Sequence, residues 1–170
     1  MATIEDANDL VDSVLRHFKE PGFNNIPSHP YGKEHIFDRE EYYQSYLKKF
    51  AIPVTQIGWG RSFIIEHEGK IKAHLDINNR LTLHQASLGM GLEMELRGHK
   101  LGPKLLDYGL QWIKNNTQVD EMNLFVFAHN LPAIKIYERA GFKLVGETKN
   151  RFQVDGHNID DLTMKLAIVR

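Results

Sequence analysis

The first fifty residues carry their hydrophobic positions at helical spacing, which predicts two helices joined by a loop. Apolar side chains recur on one face of the first segment at Leu10, Val11, Val14, Leu15 and Phe18. Thr3 and Asp6 resemble a capping box before this helix, and Pro21-Gly22 ends it. A second helix is predicted to begin near Asp38, because residues 21–36 contain several prolines and glycines that favour a loop.

The second predicted helix carries an aromatic stripe. Its members are Tyr42, Tyr43, Tyr46, Leu47 and Phe50. A stripe at this spacing is typical of packing against a core, because aromatic side chains bury large apolar areas. The alternative interpretation is that the stripe lines a substrate pocket.

From residue 62 onward the hydrophobic period changes from helical to alternating, which predicts strands. The alternation is clearest at Ile71, Ala73, Leu75 and Ile77. This run and Ser62–Glu68 flank Gly69-Lys70, so we predict an antiparallel hairpin. A third strand is predicted from about residue 81 to residue 92. Gly89 and Gly91 lie inside it, and glycine in a strand marks a bulge or a closely approaching ligand.

The second half of the chain predicts two more helices and three more strands. An amphipathic helix begins near residue 101, and a short apolar strand covers Asn123–Phe127. The next helix has Pro132 in its first turn and Gly141 as a left-handed cap. Two final strands, at about 144–153 and 158–168, are joined by Asp155-Gly156, which is a two-residue hairpin signal.

The chain has 170 residues, enough to bury a core without disulfides or metal ions, and it contains no cysteine. No repeat or linker divides it, so we predict one α/β domain over residues 1–170. Ile52–Ile57 either supplies a first strand or the sheet has one strand fewer. A net charge of −1 argues against non-specific binding of nucleic acid. The N-terminus lacks an export signal and no run spans a membrane, so we expect a cytoplasmic protein without a membrane partner.

The segment Arg97–Gly102 gives the clearest chemical signal in the chain. Its two glycines stand between a strand and a helix, where the backbone can approach a phosphate and the first N–H groups of the helix point at the anion. Arg97, Lys100 and Lys104 add three cations to the same few residues. The nine histidines form no His-x-His or His-Glu-x-x-His unit, so no metal site is expected.

A second landmark, Asn130–Phe142, follows this turn. The two landmarks and the order of elements resemble the GNAT superfamily of acyl-CoA-dependent N-acyltransferases over about residues 62–166. The tail Asp155–Met164 is similar to the closing hairpin of ribosomal-protein and small-amine acetyltransferases in that superfamily. The resemblance implies an α/β (α+β) fold with a mixed, mostly antiparallel central sheet, about four flanking helices and a splayed strand at the CoA site.

The same resemblance implies an N-acetyltransferase that uses acetyl-CoA as co-substrate and acetylates a primary amine. The acceptor would be a small molecule, a peptide or a protein N-terminus, and a homodimer is left open. A non-catalytic acyl-CoA-binding or regulatory module on the same fold is the alternative. A third interpretation, a domain that binds the phosphates of another nucleotide, predicts stabilisation by ATP or NAD and none by CoA.

The family's turn pattern, Arg/Gln-x-x-Gly-x-Gly/Ala, matches Arg97 and Gly102. Lys100 replaces the middle glycine, and it either crowds the loop or adds a phosphate contact if its φ is negative. Pro103 has no N–H to donate. By resemblance, the residues that bind acetyl-CoA are Met90, Gly91 and Leu92 on the splayed strand, Arg97, Gly98, His99, Lys100, Leu101, Gly102 and Pro103 in the turn, and Asn130.

Tyr137 matches the family's usual general acid, which protonates the departing thiolate. A tyrosine has an ordinary pKa of about 10 and is protonated at neutral pH. The alternative is a tyrosine that only packs in the core. The positions at which relatives place a basic glutamate correspond to Ser87 and Phe125, which cannot accept the proton. Glu93, Glu95 and His84 are nearby candidates, and the general base stays unassigned.

Overall fold

A six-stranded mixed sheet forms the centre of the molecule in the computed structural model, which describes residues 1–27, 29–32 and 34–170. The strands are β1 (Gly60–His67), β2 (Lys70–Asn78), β3 (Gln85–Leu92), β4 (Glu121–Phe127), β5 (Lys143–Val154) and β6 (His157–Ala167). They lie in the order β1-β2-β3-β4-β6-β5. Every neighbouring pair is antiparallel except β3 and β4, which are parallel. The predicted mostly antiparallel sheet is therefore confirmed.

Four α-helices of the described residues cover the sheet: α1 (Ala7–Lys19), α2 (Arg39–Ala51), α3 (Leu101–Asn116) and α4 (Leu131–Arg139). α1 and α2 pack together over one face, where Leu10, Val11 and Tyr46 are buried. α3 and α4 pack on the opposite face in the main core, which contains Leu75 and Leu124. None of the helices in the described part of the chain has the length and apolar character needed to cross a membrane.

The second helix begins as the polar pattern predicts, because Asp38 caps α2 by accepting the Glu41 N–H at 3.0 Å. This bond satisfies a donor that the helix start would otherwise leave without a partner. Before α1, Asp6 accepts hydrogen bonds from the Thr3 N–H at 2.7 Å and from the Thr3 hydroxyl at 3.0 Å. These bonds lie ahead of the helix, and the Asp6 side chain makes no cap hydrogen bond to α1 itself.

The aromatic stripe of α2 packs against the core. Tyr46 is only 3% exposed, and its hydroxyl donates to Asp76 of β2 at 2.6 Å. The Lys49 ammonium lies 3.7 Å from the centre of the Tyr46 ring, so the outer side of this ring is also covered. Core packing, rather than a pocket lining, is therefore confirmed for Tyr46.

The hairpin turns follow the local sequence signals. Asp155 (φ 47°) and Gly156 (φ 81°) both adopt left-handed backbone, which two-residue hairpin turns of this kind require. The β1–β2 turn lies at Glu68 (φ 52°) and Gly69 (φ 70°), one residue earlier than predicted. Gly141 (φ 97°) follows α4 as the predicted left-handed cap.

One predicted strand boundary is corrected, and one open alternative is decided. β3 begins at Gln85 rather than near Leu81, which is 80% exposed. The buried Asn79 amide holds the intervening turn by donating to the carbonyls of Thr82 and Gln85, so this turn cannot join the ladder. Residues 52–57 form turns and no strand, so the sheet of the described residues has one strand fewer, which is the second of the two alternatives.

Candidate active site

The parallel strands β3 and β4 separate soon after they meet. They pair only at Gln85 with Glu121, Ala86 with Met122, and Ser87 with Asn123. β3 then continues to Leu92 and β4 to Phe127 without pairing to each other. The carboxyl ends of the two strands therefore border a gap inside the sheet, as the expected splayed strand requires.

The hydrogen-bond alternation of β3 fixes which backbone groups face this gap. The Glu93 N–H donates to the Lys72 carbonyl at 2.9 Å, on the β2 side. Because successive residues of a strand point their backbone groups to opposite edges, Met90 and Leu92 direct theirs toward the gap. The Leu92 carbonyl accepts the Arg97 side chain at 3.0 Å. The Leu92 N–H and both backbone groups of Met90 thus line an unpaired strand edge.

The turn before α3 presents a second set of backbone donors. Gly98 (φ 81°) and Lys100 (φ 59°) are both left-handed, and α3 begins directly after them. In the described part of the chain, no acceptor is bonded to the N–H groups of Gly98, His99, Lys100, Leu101 and Gly102. Nothing lies within 4 Å of the position that a Gly98 Cβ would occupy. This open cluster of N–H groups at a helix N-terminus fits a diphosphate.

Helix α4 brings Asn130 and Tyr137 into the same region of the fold, just beyond β4. The Asn130 side-chain oxygen caps the helix by accepting the Ala133 N–H at 3.4 Å. Tyr137 is 5% exposed and packs edge-on against Phe142, with 5.9 Å between ring centres. Burial raises the pKa of Tyr137 to about 12, so its hydroxyl is protonated at neutral pH.

A family model described as "Acetyltransferase (GNAT) family" matches residues 25–142, which is more than half of the chain. The chain belongs to this acetyltransferase family. It is also similar to the L-amino acid N-acetyltransferase AaaT of Escherichia coli, with 28% identity over 96 residues. That match covers 55% of this chain and 59% of the E. coli enzyme.

Two solved structures show that the complete GNAT fold is present. The ribosomal-protein-alanine N-acetyltransferase of Brucella melitensis superposes with a TM-score of 0.77 at 19% identity, over 98% of this chain and 96% of that one. The YncA protein of Salmonella typhimurium, solved with its cofactor acetyl-CoA, superposes with a TM-score of 0.76 at 12% identity. That superposition covers 99% of this chain and 92% of YncA. The GNAT family uses acetyl-CoA, so the gap and the turn are the parts of this fold to compare with a bound donor.

Two residues of the expected GNAT donor site are placed differently from the sequence-based expectation. Gly91 directs its backbone groups at β2 rather than at the gap, because it shares the orientation of Glu93. Arg97 turns its guanidinium toward the end of α1. It donates to Glu20 at 2.6 Å and to the Pro21 carbonyl at 3.3 Å. Arg97 therefore joins α1 to β3, which leaves Lys100 and Lys104 as the cations of this turn without an ion pair among the described residues.

Lys100 stands where the GNAT turn pattern has a glycine, and the sequence left open whether it crowds the loop or adds a phosphate contact. Its φ of 59° is positive, so the condition for the extra phosphate contact, a negative φ, is not met. The side chain is exposed and does not fill the turn. A Cβ at Gly102 would make ordinary van der Waals contacts, with Ile136 at 3.4 Å and with Met90 at 3.6 Å. The packing of α3 against α4 and β3 therefore leaves room for either glycine or alanine, the two residues that the GNAT pattern allows at this position.

Each of the three candidate bases is already engaged. Glu93 is buried and binds Arg16 at 2.9 Å and Lys72 at 3.1 Å. Glu95 binds Lys72 at 2.9 Å. His84 pairs with Asp120 before β3 begins, about 26 Å along the strand from its carboxyl end. None of these groups is assigned as the base.

Two histidines that sequence reasoning missed, the half-buried His17 and the buried His74, lie beneath Gly91. The His17 ring of α1 and the His74 ring of β2 meet edge-on at 6.0 Å between centres. A Cβ on Gly91 would come within 2.6 Å of His74 and 2.8 Å of His17. Burial lowers the pKa of both imidazoles, that of His17 to about 3, so both are neutral at physiological pH. No sequence motif links these positions, since they meet only through packing of α1 on the sheet.

The neutral His17 predicts a loss of stability in acid. Its pKa lies near 3 in the folded state and near 6.5 in the unfolded state, so between these values the unfolded chain binds more protons. The contribution of His17 to the free energy of unfolding should therefore be fully present above pH 6.5. It should decrease as the pH falls from 6.5 toward 3. Each such histidine contributes a slope of at most about 1.4 kcal/mol per pH unit.

Urea unfolding at several pH values measures this slope, and the His17→Phe variant should show a smaller one. His67→Gln, a change at an exposed histidine of β1, is the matched control. An identical slope in wild type and His17→Phe would mean that His17 is protonated in the folded protein, contrary to the expected desolvation.

Proposed function

We propose that this chain transfers the acetyl group of acetyl-CoA to the primary amine of a small molecule, and that residues 1–170 act as one acyltransferase domain. The unpaired edge of β3 beside the open N–H cluster before α3 carries the proposal. An unpaired strand edge suits an extended chain that contains amide groups, and the N–H cluster suits a diphosphate. Acetyl-CoA contains both groups in one molecule.

Several residues would hold the donor. The Met90 backbone would pair with the pantetheine arm, and the amide of Asn130, whose oxygen caps α4, keeps its N–H groups for a further contact. The turn N–H groups would bind the phosphates, and the ammonium groups of Lys100 and Lys104 would attract them through space, without the direct contact that the φ of Lys100 does not favour. When bound, acetyl-CoA supplies the acetyl group as a thioester, which the amine attacks with formation of the C–N bond and loss of the thiolate.

Two groups of the chain would assist the transfer. The Leu92 N–H points into the gap and would donate to the thioester oxygen, where negative charge develops. Tyr137 holds its proton at the hydroxyl and donates a hydrogen bond to the departing sulfur. The amine must arrive neutral, and the proposal assigns no residue as its base.

A small-molecule acceptor has the support of the E. coli relative, which is named for L-amino acids, although the match covers 59% of that enzyme. Free thiol release should be measured with acetyl-CoA and a panel containing L-amino acids, a polyamine and a short peptide. Thermal unfolding with acetyl-CoA, ATP or NAD separates the alternatives. Stabilisation by acetyl-CoA without thiol release for any amine would favour the binding module. Stabilisation by ATP or NAD alone would favour another nucleotide.

Reversal of one charge tests the phosphate site. Lys100→Glu should raise the Kd for CoA about tenfold at low salt, and the effect should shrink as salt screens the phosphates. Lys114→Glu, near the other end of α3, makes the same charge change away from the turn and should leave the Kd unaltered. Titration calorimetry at two ionic strengths measures both. An unchanged Kd for Lys100→Glu at low salt would show that this ammonium points away from the phosphates.

A further inference from the structure

A bulge in β5 lifts Arg151 across the neighbouring strand. Thr148 pairs with Asp161 and Phe152 pairs with Ile159, so three residues of β5 stand opposite one residue of β6. Asn150 in this bulge has a left-handed φ of 49°, and its N–H donates to Asp160 at 2.8 Å. The bulge is therefore held in place by a charge-assisted hydrogen bond.

The Arg151 guanidinium is fixed on two sides. Its Nη1 donates to the Asp161 carboxylate at 2.5 Å, and Asp161 is only 2% exposed. The guanidinium lies 4.8 Å from the centre of the Phe125 ring and 5.3 Å from that of Phe152. A buried carboxylate and two aromatic rings hold a long side chain in one position, which lowers the entropy it loses on binding a ligand.

This position borders the gap between β3 and β4. Phe125 is the second residue of β4 after its last pair with β3, and its 56% exposure leaves one side of its ring open. By alternation it lies on the face opposite the core residues Leu124 and Val126. Gly89 holds the corresponding register on β3, and nothing lies within 4 Å of where its Cβ would be. The guanidinium thus stands over an open surface at the start of the gap.

The remaining donors of Arg151 have no partner in the described part of the chain, because the hydrogen bond to Asp161 uses Nη1. A planar fork of free N–H groups binds a carboxylate with two parallel hydrogen bonds. We infer that Arg151 binds a carboxylate of the acceptor, so the amine to be acetylated belongs to an amino acid. This inference rests on the proposed acetyl transfer and names the substrate class of the same site.

The experiment compares each L-amino acid with its own amide, which has the same side chain and amine but no carboxylate. With wild-type protein, kcat/KM should be on the order of 100-fold higher for the acid, because the amide leaves the fork of Arg151 poorly matched. The difference should lie mainly in KM, since the carboxylate is remote from the bond that breaks.

Replacement of Arg151 alone would leave the Asp161 carboxylate buried without its cation. The diagnostic variant is therefore the double change Arg151→Gln with Asp161→Asn. It keeps a neutral hydrogen-bonding pair at these two positions. It should reduce the acid-to-amide preference to within about threefold while the Kd for acetyl-CoA stays unchanged. Arg139→Gln at the end of α4 removes one positive charge elsewhere and should keep the preference. Circular dichroism and thermal unfolding confirm that each variant is folded.

The possible failures are distinguishable. Equal turnover of acids and amides by wild type, or a double variant that keeps the preference, would overturn the role of Arg151 and leave acetyl transfer standing. A wild type that acetylates the polyamine better than any amino acid would overturn it as well. The absence of thiol release with every amine would instead contradict the proposed function itself.

Discussion

Replacement of Tyr137 by phenylalanine is expected to lower kcat about 100-fold and to leave the Kd for acetyl-CoA within about twofold. The hydroxyl is the only group removed, and in the described part of the chain no residue is hydrogen-bonded to it. The change therefore strands no polar partner and should not destabilise the fold. A donor that acts on the departing sulfur is needed in the transition state and contributes little to ground-state binding.

The expected loss lies at the lower end of the range for acid catalysis because of the tyrosine pKa. At about 12 it is higher than that of an ordinary thiol, near 8.5, so full proton transfer to the thiolate is uphill. The hydroxyl then stabilises the sulfur by a hydrogen bond, and solvent supplies the final proton. Stopped-flow and steady-state assays measure kcat. Tyr108→Phe, at an exposed tyrosine of α3, is the control, and equal activity of the two variants would remove the role of Tyr137.

Replacement of Gly91 by alanine is expected to lower the free energy of unfolding by about 1–3 kcal/mol. The new Cβ would approach His74 to 2.6 Å and His17 to 2.8 Å, closer than carbon atoms can pack. The His74 ring is buried and the His17 side chain is 16% exposed, so relief of this contact requires packed rings to shift. For a domain of this size the loss corresponds to a decrease in Tm of roughly 2–10 °C.

Gly89→Ala provides the matched control two residues away on the same strand. Nothing lies within 4 Å of its Cβ position, and alanine restricts the unfolded chain more than glycine does, so stability should stay the same or rise slightly. Urea denaturation with a constant m-value measures both variants. Equal stabilities for Gly91→Ala and Gly89→Ala would mean that the histidine pair moves aside without cost.

The local signals of the sequence predicted the elements well. Asp155-Gly156 specifies its turn through residues that tolerate left-handed backbone, and Asp38 caps its helix through a contact three residues away. Such features depend on neighbours along the chain, which a sequence displays directly. Leu81 shows where prediction from local signals fails. An apolar residue next to a strand predicts a strand residue, but the Asn79 side chain holds this segment in a turn.

The candidate site was predicted less completely, since its geometry depends on contacts between distant segments. The glycines and cations before α3 predict a phosphate-binding turn, but the sequence does not show that the partner of Arg97 is Glu20, which is 77 residues away in the chain. Gly91 suggests room for a ligand, whereas the space at its Cβ position is filled by His17 and His74 from two other elements. A glycine inside a strand indicates that another group approaches the backbone closely at that position. Only the fold shows which group this is.

The joint between β3 and β4 has a consequence for the mechanics of this molecule. Among the described residues, the strand pairing between β3 and β4 extends over three residue pairs, so the ladder β1-β2-β3 and the ladder β4-β6-β5 share only a short seam. A small molecule that pairs along the Met90 edge would extend this seam much as an added strand would. The rigidity of the two ladders relative to each other would then come partly from the bound substrate. The protein would be most rigid when acetyl-CoA is bound.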